Sequence, residues 1–266
     1  MKDLMKELGV SEDQVRQILL ESRRTKPIVL NRYLTDKEVK FGIVSDTHLC
    51  SRQEKLNELH TFYAICKKVG VKDVLHIGDL VDGSGRIYRG QLNEIHTYGV
   101  IRQAEYVIKN YPKVEGITTF FITGNHCLSF YNENGVDIGN LIADKRKDMV
   151  YLGQYQADIT IGKAKIRLFH HDKNVAYALS YPGQKLAEQI ASGHKPDILL
   201  LGHLHSSFYF WYRNMHIISC GTFQGQTSFL LRKGINPAIG GWICEAKEGK
   251  KDRVVALKTT WIPFFI

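Results

Sequence analysis

The sequence has no apolar run approaching the 18 or more residues that cross a bilayer as a helix. Its opening Met-Lys-Asp-Leu-Met-Lys-Glu also lacks the apolar stretch of a secretory signal. Those absences point to a cytoplasmic protein without a membrane partner. Cysteine is sparse: Cys50, Cys66, Cys127, Cys220 and Cys244 are odd in number, far apart, and form no Cys-x-x-Cys. Neither a disulfide framework nor a cysteine-built zinc site is supported, and reduced thiols are expected. Internal repeats and low-complexity tracts are also missing. Acidic residues are outnumbered, 27 Asp+Glu against 36 Lys+Arg, for a net charge of +9 with histidine neutral. An excess of that size favours a polyanionic partner such as nucleic acid. What remains is an ordinary globular composition, 44% hydrophobic and 24% charged over 266 residues, enough for one large domain with a small appendage.

The appendage lies at the start. Leu4, Met5 and Leu8 share one helical face, and after Gly9-Val10 the residues Val15, Ile18 and Leu19 repeat the spacing. Ser11 with Gln14 fits a capping box for the second helix. The pair resembles the turn and second helix of a helix-turn-helix, with Arg16, Arg23 and Arg24 favouring phosphates and Glu12 and Asp13 repelling them. A helical arm packed on the main domain or on a partner subunit fits equally. Residues 24–31, with Pro27, are expected to be a linker, which divides the chain into an arm over 1–30 and a main domain over 31–266.

From Lys40 the texture becomes short apolar runs. Phe41-Gly42-Ile43-Val44, Val74-Leu75-His76-Ile77, Thr119-Phe120-Phe121-Ile122, Ile166-Arg167-Leu168-Phe169 and Ile198-Leu199-Leu200-Leu201 each predict a buried strand. Each run ends in polar residues: Asp46-Thr47-His48, Gly78-Asp79, Gly124-Asn125-His126, His170-His171 and Gly202-His203-Leu204-His205. Ligands bind at the carboxyl ends of strands in layered α/β folds, so these clusters are expected on one rim. Burying so many polar groups is costly unless a cation compensates them. Imidazole, carboxylate and amide oxygen suit Mn, Fe, Ni or Zn rather than calcium. Two such ions about 3.5–4 Å apart would activate water and clamp both oxygens of an in-line displacement at phosphorus.

The blocks Asp46-x-His48, Gly78-Asp79-x-x-Asp82, Gly124-Asn125-His126, His170 and Gly202-His203-x-His205, in that order, resemble the calcineurin-like metallophosphoesterase family over about residues 40–223. The resemblance implies an α/β fold of four layers, a two-sheet β-sandwich flanked by helices, with a binuclear metal centre at its rim. It would make Asp46, His48 and His205 ligands of one metal, Asn125, His170 and His203 ligands of the other, and Asp79 the bridge. His126 would protonate the leaving oxygen or steady the phosphoryl charge. Here His171 stands where the family commonly has Gly, and Cys127 where it commonly has an acid, which removes an orienting partner for His126. His170 is preferred to His171 as ligand because adjacent strand residues face opposite ways. Asp82 is expected to structure the turn or orient a ligand. His60, His76, His194 and His216 are expected to be buried histidines satisfied by a hydrogen bond.

The loops between blocks would choose the substrate. Residues 84–110 carry Arg86, Tyr88, Arg89 and His96 before an expected helix, and Lys173 and Lys185 are further candidates for phosphate contact. Residues 206–223 are rich in aromatics and predict a hairpin turning at Arg213-Asn214, able either to stack bases or to fill the sandwich. The resulting expectation is a metal-dependent phosphodiesterase or nuclease acting on nucleic acid or a nucleotide. The alternatives are a phosphomonoesterase and a non-catalytic DNA-binding or polymerase-accessory module.

Overall fold

The computed structural model describes residues 27–30, 38–172, 178–249 and 253–264, so most of the expected N-terminal arm, and Lys173, lie outside the described residues. The strands are β1 (Ile28–Leu30), β2 (Glu38–Val44), β3 (Asp73–Ile77), β4 (Thr118–Thr123), β5 (Met149–Gln154) and β6 (Gln156–Ile161), followed by β7 (Ala164–His170), β8 (Ile198–Gly202), β9 (Ser207–Tyr212), β10 (Met215–Cys220), β11 (Gly240–Glu248) and β12 (Val254–Pro263). The helices are α1 (Leu56–Lys68), α2 (Val100–Asn110), α3 (Asn125–Asn134), α4 (Ile138–Lys145), α5 (Tyr181–Gln189) and α6 (Ser228–Arg232).

Strand alternation decides the layering. In β2, Val39, Phe41 and Ile43 enter one apolar cluster while Val44 enters another. In β3 and β4 the same division separates Leu75, Ile77, Phe120 and Ile122 from Val74 and Phe121. In β8, Ile198 and Leu200 face one way and Leu199 and Leu201 the other. Strands apolar on both faces require a cover on each side. One cover is shared: two six-stranded sheets, ordered β1-β6-β7-β8-β10-β9 and β12-β11-β2-β3-β4-β5, pack their common cluster between them. The second sheet is covered outside by α1 to α4 through Phe62, Tyr63, Val107, Phe130 and Ile142. The first carries α5 through Ala187 against Leu199, Leu201 and Ile217. The result is the expected four-layer α/β sandwich.

All five expected strands are present, extended by one to three residues at their ends. The expected hairpin is β9 and β10, and Arg213 and Asn214 take φ of +50° and +62°, the positive pair that a two-residue turn matched to strand twist needs. Part of the expected linker is strand instead: Ile28–Leu30 pairs in parallel with β6, Ile28 opposite Ile159 and Leu30 opposite Ile161, because its apolar side chains extend the inter-sheet cluster. The histidine expectation holds only for His76 as a fully buried residue. His60 and His194 are exposed and His216 is half-buried, His60 because it lies on the solvent side of α1. The five cysteines are free thiols, and all five are buried. Among the described residues no helix is long and apolar enough to cross a membrane.

Candidate metal centre

β2, β3 and β4 run parallel in one sheet, and β7, β8 and β10 run parallel in the other. Their carboxyl ends meet at one rim, where β2, β3, β4, β7 and β8 each deliver a polar block. The loops are stitched together by backbone bonds, Asp46 N–H to Gly78 O and His48 N–H to Asp79 O, each 3.0 Å. Asp46, His48, Asp79, His203 and His205 all have positive φ, between +41° and +80°. Left-handed backbone at non-glycine residues is costly and gathers at functional sites. Two glycines make room for this crowding. A Cβ on Gly78, whose φ is +86°, would stand 2.3 Å from His170 Nδ1, and one on Gly124 would stand 2.4 Å from His170 Cδ2.

Two groups of donors result. In the first, His48 Nε2 is 3.2 Å from His205 Nε2, and the two nitrogens lie 3.8 and 3.4 Å from Asp46 Oδ1. In the second, His170 Nε2 is 3.0 Å from Asp79 Oδ2 and 3.2 Å from Asn125 Oδ1, which in turn is 3.0 Å from His203 Nδ1. Asp79 Oδ2 also comes within 4.0 Å of His48 Nε2, so it adjoins both groups.

The protonation pattern tests whether cations fit. His170 Nδ1 lies 2.7 Å from the Ile77 carbonyl, which can only accept, so Nδ1 carries the proton and Nε2 aims a lone pair at Asp79 and Asn125. His48 Nδ1 lies 3.1 Å from Asp82 Oδ1, which leaves its Nε2 facing His205 and Asp46 in the same way. Acceptors therefore confront acceptors in both groups, the arrangement that a divalent ion satisfies. His205 Nδ1 and Asp82 Oδ2 are buried with no hydrogen-bond partner. The imidazole, carboxylate and amide donors fit two ions of the Mn, Fe, Ni or Zn kind, and the two groups could each hold one.

Without such ions, protons take their place. Burial opposes charge on His48, but Asp46 and Asp82 outweigh it and hold the imidazole up at about 10. Burial likewise opposes charge on His170, and Asp79 and Asp46 hold it up at about 9. Asp46 and Asp79, despite burial, are held well below the carboxylate range, chiefly by His170. Burial, with the charge of His170 beside it, pushes His203 down to about 4.

His126 sits beside both groups, its ring 4.4 Å from that of His48. Its Nδ1 donates to the Asp82 carbonyl at 2.9 Å, leaving Nε2 free, and burial lowers its pKa. Its own amide donates to Asp79 Oδ1 at 2.8 Å from the first turn of α3. Cys127 accepts from Leu80 N–H, so it braces the β3 loop rather than His126. His171 turns away and packs edge-on against Phe169.

The structure brings the seven expected donors and His126 together. Of the expected substrate contacts, Arg86 lines a cleft beside Asn125, while Arg89 is exposed outside it. His96 pairs with Glu54 at 3.5 Å, and Lys185 lies on α5 paired with Glu188. Tyr88 stacks on Phe229 and lies 6.5 Å from the His126 ring. In β9, Phe210 and Tyr212 pack under α5, whereas Tyr209 and Trp211 are exposed. Sequence reasoning missed the supporting residues. Thr222 Oγ1 donates to Asp46 O at 2.7 Å, Gln224 reaches Ser51 and Asp82, and Gln91 Nε2 donates to Asp82 O at 2.7 Å. Ser45 bonds Asp46 directly, and only its place next to the first block could have flagged it.

The DNA polymerase II small subunit of Methanocaldococcus jannaschii is 27% identical over 265 residues, covering 81% of this chain and 44% of that protein. The subunit of the same name from Archaeoglobus fulgidus is 24% identical, covering 77% of this chain and 51% of that one. The chain thus spans about half the length of the curated relatives it matches. Among solved structures, a novel archaeal phosphodiesterase aligns with a TM-score of 0.48 at 14% identity, over 84% of this chain and 100% of that one. Vacuolar protein sorting 29 from Cryptosporidium parvum aligns with a TM-score of 0.45 at 16% identity, over 86% of this chain and 100% of that one. The model of the calcineurin-like phosphoesterase superfamily domain matches residues 39–232, a stretch that runs from β2 through α6 and takes in every strand-end block, and the chain belongs to that superfamily.

Proposed function

We propose that the chain is a two-metal phosphodiesterase acting on DNA. The observation that carries this reading is the pair of donor groups with Asp79 Oδ2 adjoining both, at 3.0 Å from His170 and 4.0 Å from His48. Asp46, His48 and His205 would hold one ion, Asn125, His170 and His203 the other, and Asp79 both. Divalent ions there would supply an activated water and charge to offset the phosphoryl oxygens. Asp82 keeps His48 in the tautomer that presents Nε2, and the Ile77 carbonyl does the same for His170. Burial favours the neutral form of His126. A phosphoryl anion alongside raises its proton affinity, so Nε2 can take up a proton from solvent water and pass it to the departing oxygen as the phosphorus–oxygen bond breaks.

DNA as substrate is supported by the charge of +9 and by relatives named as DNA polymerase subunits. Those names also support a polymerase partner and a second reading, a subunit of this fold that binds DNA without cutting it. The arm expected over 1–30 would then contact DNA or the partner.

The test compares metal-free and Mn²⁺-loaded protein on bis-p-nitrophenyl phosphate, p-nitrophenyl phosphate and labelled DNA. Diester and DNA cleavage that needs metal and falls by about 10²–10⁴ in His126→Ala is expected. Monoester preference would move the reading to a phosphatase. DNA binding with no hydrolysis in any metal would establish the non-catalytic one.

A further inference from the structure

Beside Asn125 a cleft of about 410 Å³ opens, within the size range of small-ligand sites. Tyr155 in its wall is unexpected on folding grounds. It is the single residue between β5 of one sheet and β6 of the other, and its φ is +58°. Its amide donates to Thr123 O at 2.8 Å and its carbonyl accepts from His170 N–H at 2.7 Å, so the backbone there is fixed. Glycine or asparagine would take that conformation with less strain than a bulky aromatic. Core packing does not account for the ring, which is only partly buried and belongs to none of the three apolar clusters. It lines the cleft together with Asn125 of the second donor group, and burial with the nearby Asp172 and Asp79 raises the pKa of its phenol.

Apart from Ile87, the rest of the wall is polar. Ser84 Oγ donates to Glu133 at 2.6 Å, and Asn132 and Asp172 complete the rim. Arg86 also borders the cleft, but its side chain is 77% exposed and lies 4.0 Å from Glu133. Two carboxylates repel a second phosphate, so this is not a channel that tracks a nucleic-acid backbone. A nucleobase suits it instead: its π-face stacks on an aromatic ring, and its amino groups donate to carboxylate and amide oxygens.

We propose that this cleft holds the nucleoside attached to the reacting phosphate, with the base stacked on Tyr155 and its polar edge on Asn132 and Glu133. The inference rests on the phosphoester reading above. Its consequence is a preference for unpaired nucleotides, because a base inside a duplex cannot reach the ring.

The test is calorimetric binding of 2′-deoxyadenosine 5′-monophosphate and of deoxyribose 5-phosphate to the Mn²⁺-loaded chain, with Tyr155→Asn and Tyr155→Phe. The nucleotide should bind about tenfold tighter than the sugar phosphate. Tyr155→Asn should bring that ratio near one, and Tyr155→Phe should keep it. Because asparagine suits the backbone, Tyr155→Asn should melt no lower than the parent. Equal binding of both ligands by the parent overturns the base subsite and leaves the phosphate site standing. A several-degree drop in Tm accompanying the loss of preference also overturns it, by making the ring structural. No binding of either ligand overturns the phosphoester reading, and this one with it.

Discussion

Gly78 shows how closely single residues are constrained at the rim. Gly78→Ala adds strain at φ +86° and places a methyl 2.3 Å from His170 Nδ1, so the change should cost about 2 kcal/mol or more, read as a lower urea midpoint at unchanged slope. Asp79 has the opposite kind of importance, since Asp79→Asn removes charge without bulk. If both ions share it, elemental analysis of well-folded Asp79→Asn should find less bound metal than in the parent, and unchanged stoichiometry with unchanged activity would remove Asp79 from that role. The cysteines make a third case. Burial pushes the Cys127 and Cys66 thiols up to about 12, and all five cysteines are buried and free. Ellman's reagent should therefore find almost no reactive thiol in the native protein and five after denaturation. The chemistry-bearing residues were legible because each follows an apolar run directly. The residues that brace them, Thr222, Gln224 and Gln91, were not, since they arrive from far along the chain with no local signature.

Between elements, Arg146 is the clearest joint. It follows α4, is buried, and donates to the carbonyls of Ile108, Tyr111 and Pro112 at 2.9–3.1 Å, so it closes the end of α2 while pairing with Asp148 at 2.6 and 2.8 Å. Arg146→Ala strands those carbonyls and the carboxylate together, and a loss of about 3 kcal/mol in chemical denaturation is expected. Partial burial works against ionised Asp148, but Arg146 outweighs it and holds the carboxyl below its usual range. A depressed carboxyl stabilises the fold above the unfolded value near 3.8, and that contribution is lost as pH falls through the lower folded value. Asp148→Asn should therefore flatten the acid limb of the stability profile below about pH 4, which a pH series of melts would reveal. The elements legible in advance were the doubly covered strands and the Arg213-Asn214 hairpin. β1, β5, β6, β11 and β12 were harder, because strands near a sheet edge mix polar and apolar residues and their pairing is not local.

Across the whole molecule, the site depends on the two sheets holding their relative positions, since Asp46, Asp79 and Asn125 come from one and His170, His203 and His205 from the other. Leu200, fully buried between them, is a lever on that distance. Leu200→Ala should cost about 2–5 kcal/mol in denaturation, and weaker metal retention at temperatures where the protein is still folded would show that sheet packing sets the donor spacing. The layered class, the order of the strand-end blocks and the excess of positive charge could all be read along the chain, because apolar alternation and adjacency are local properties. Tertiary structure alone decided which donors share a group, which nitrogen each histidine presents, and that a tyrosine in left-handed backbone faces the cleft. Those outcomes arise where separate loops close on one another, and no stretch of sequence contains the partner that fixes them.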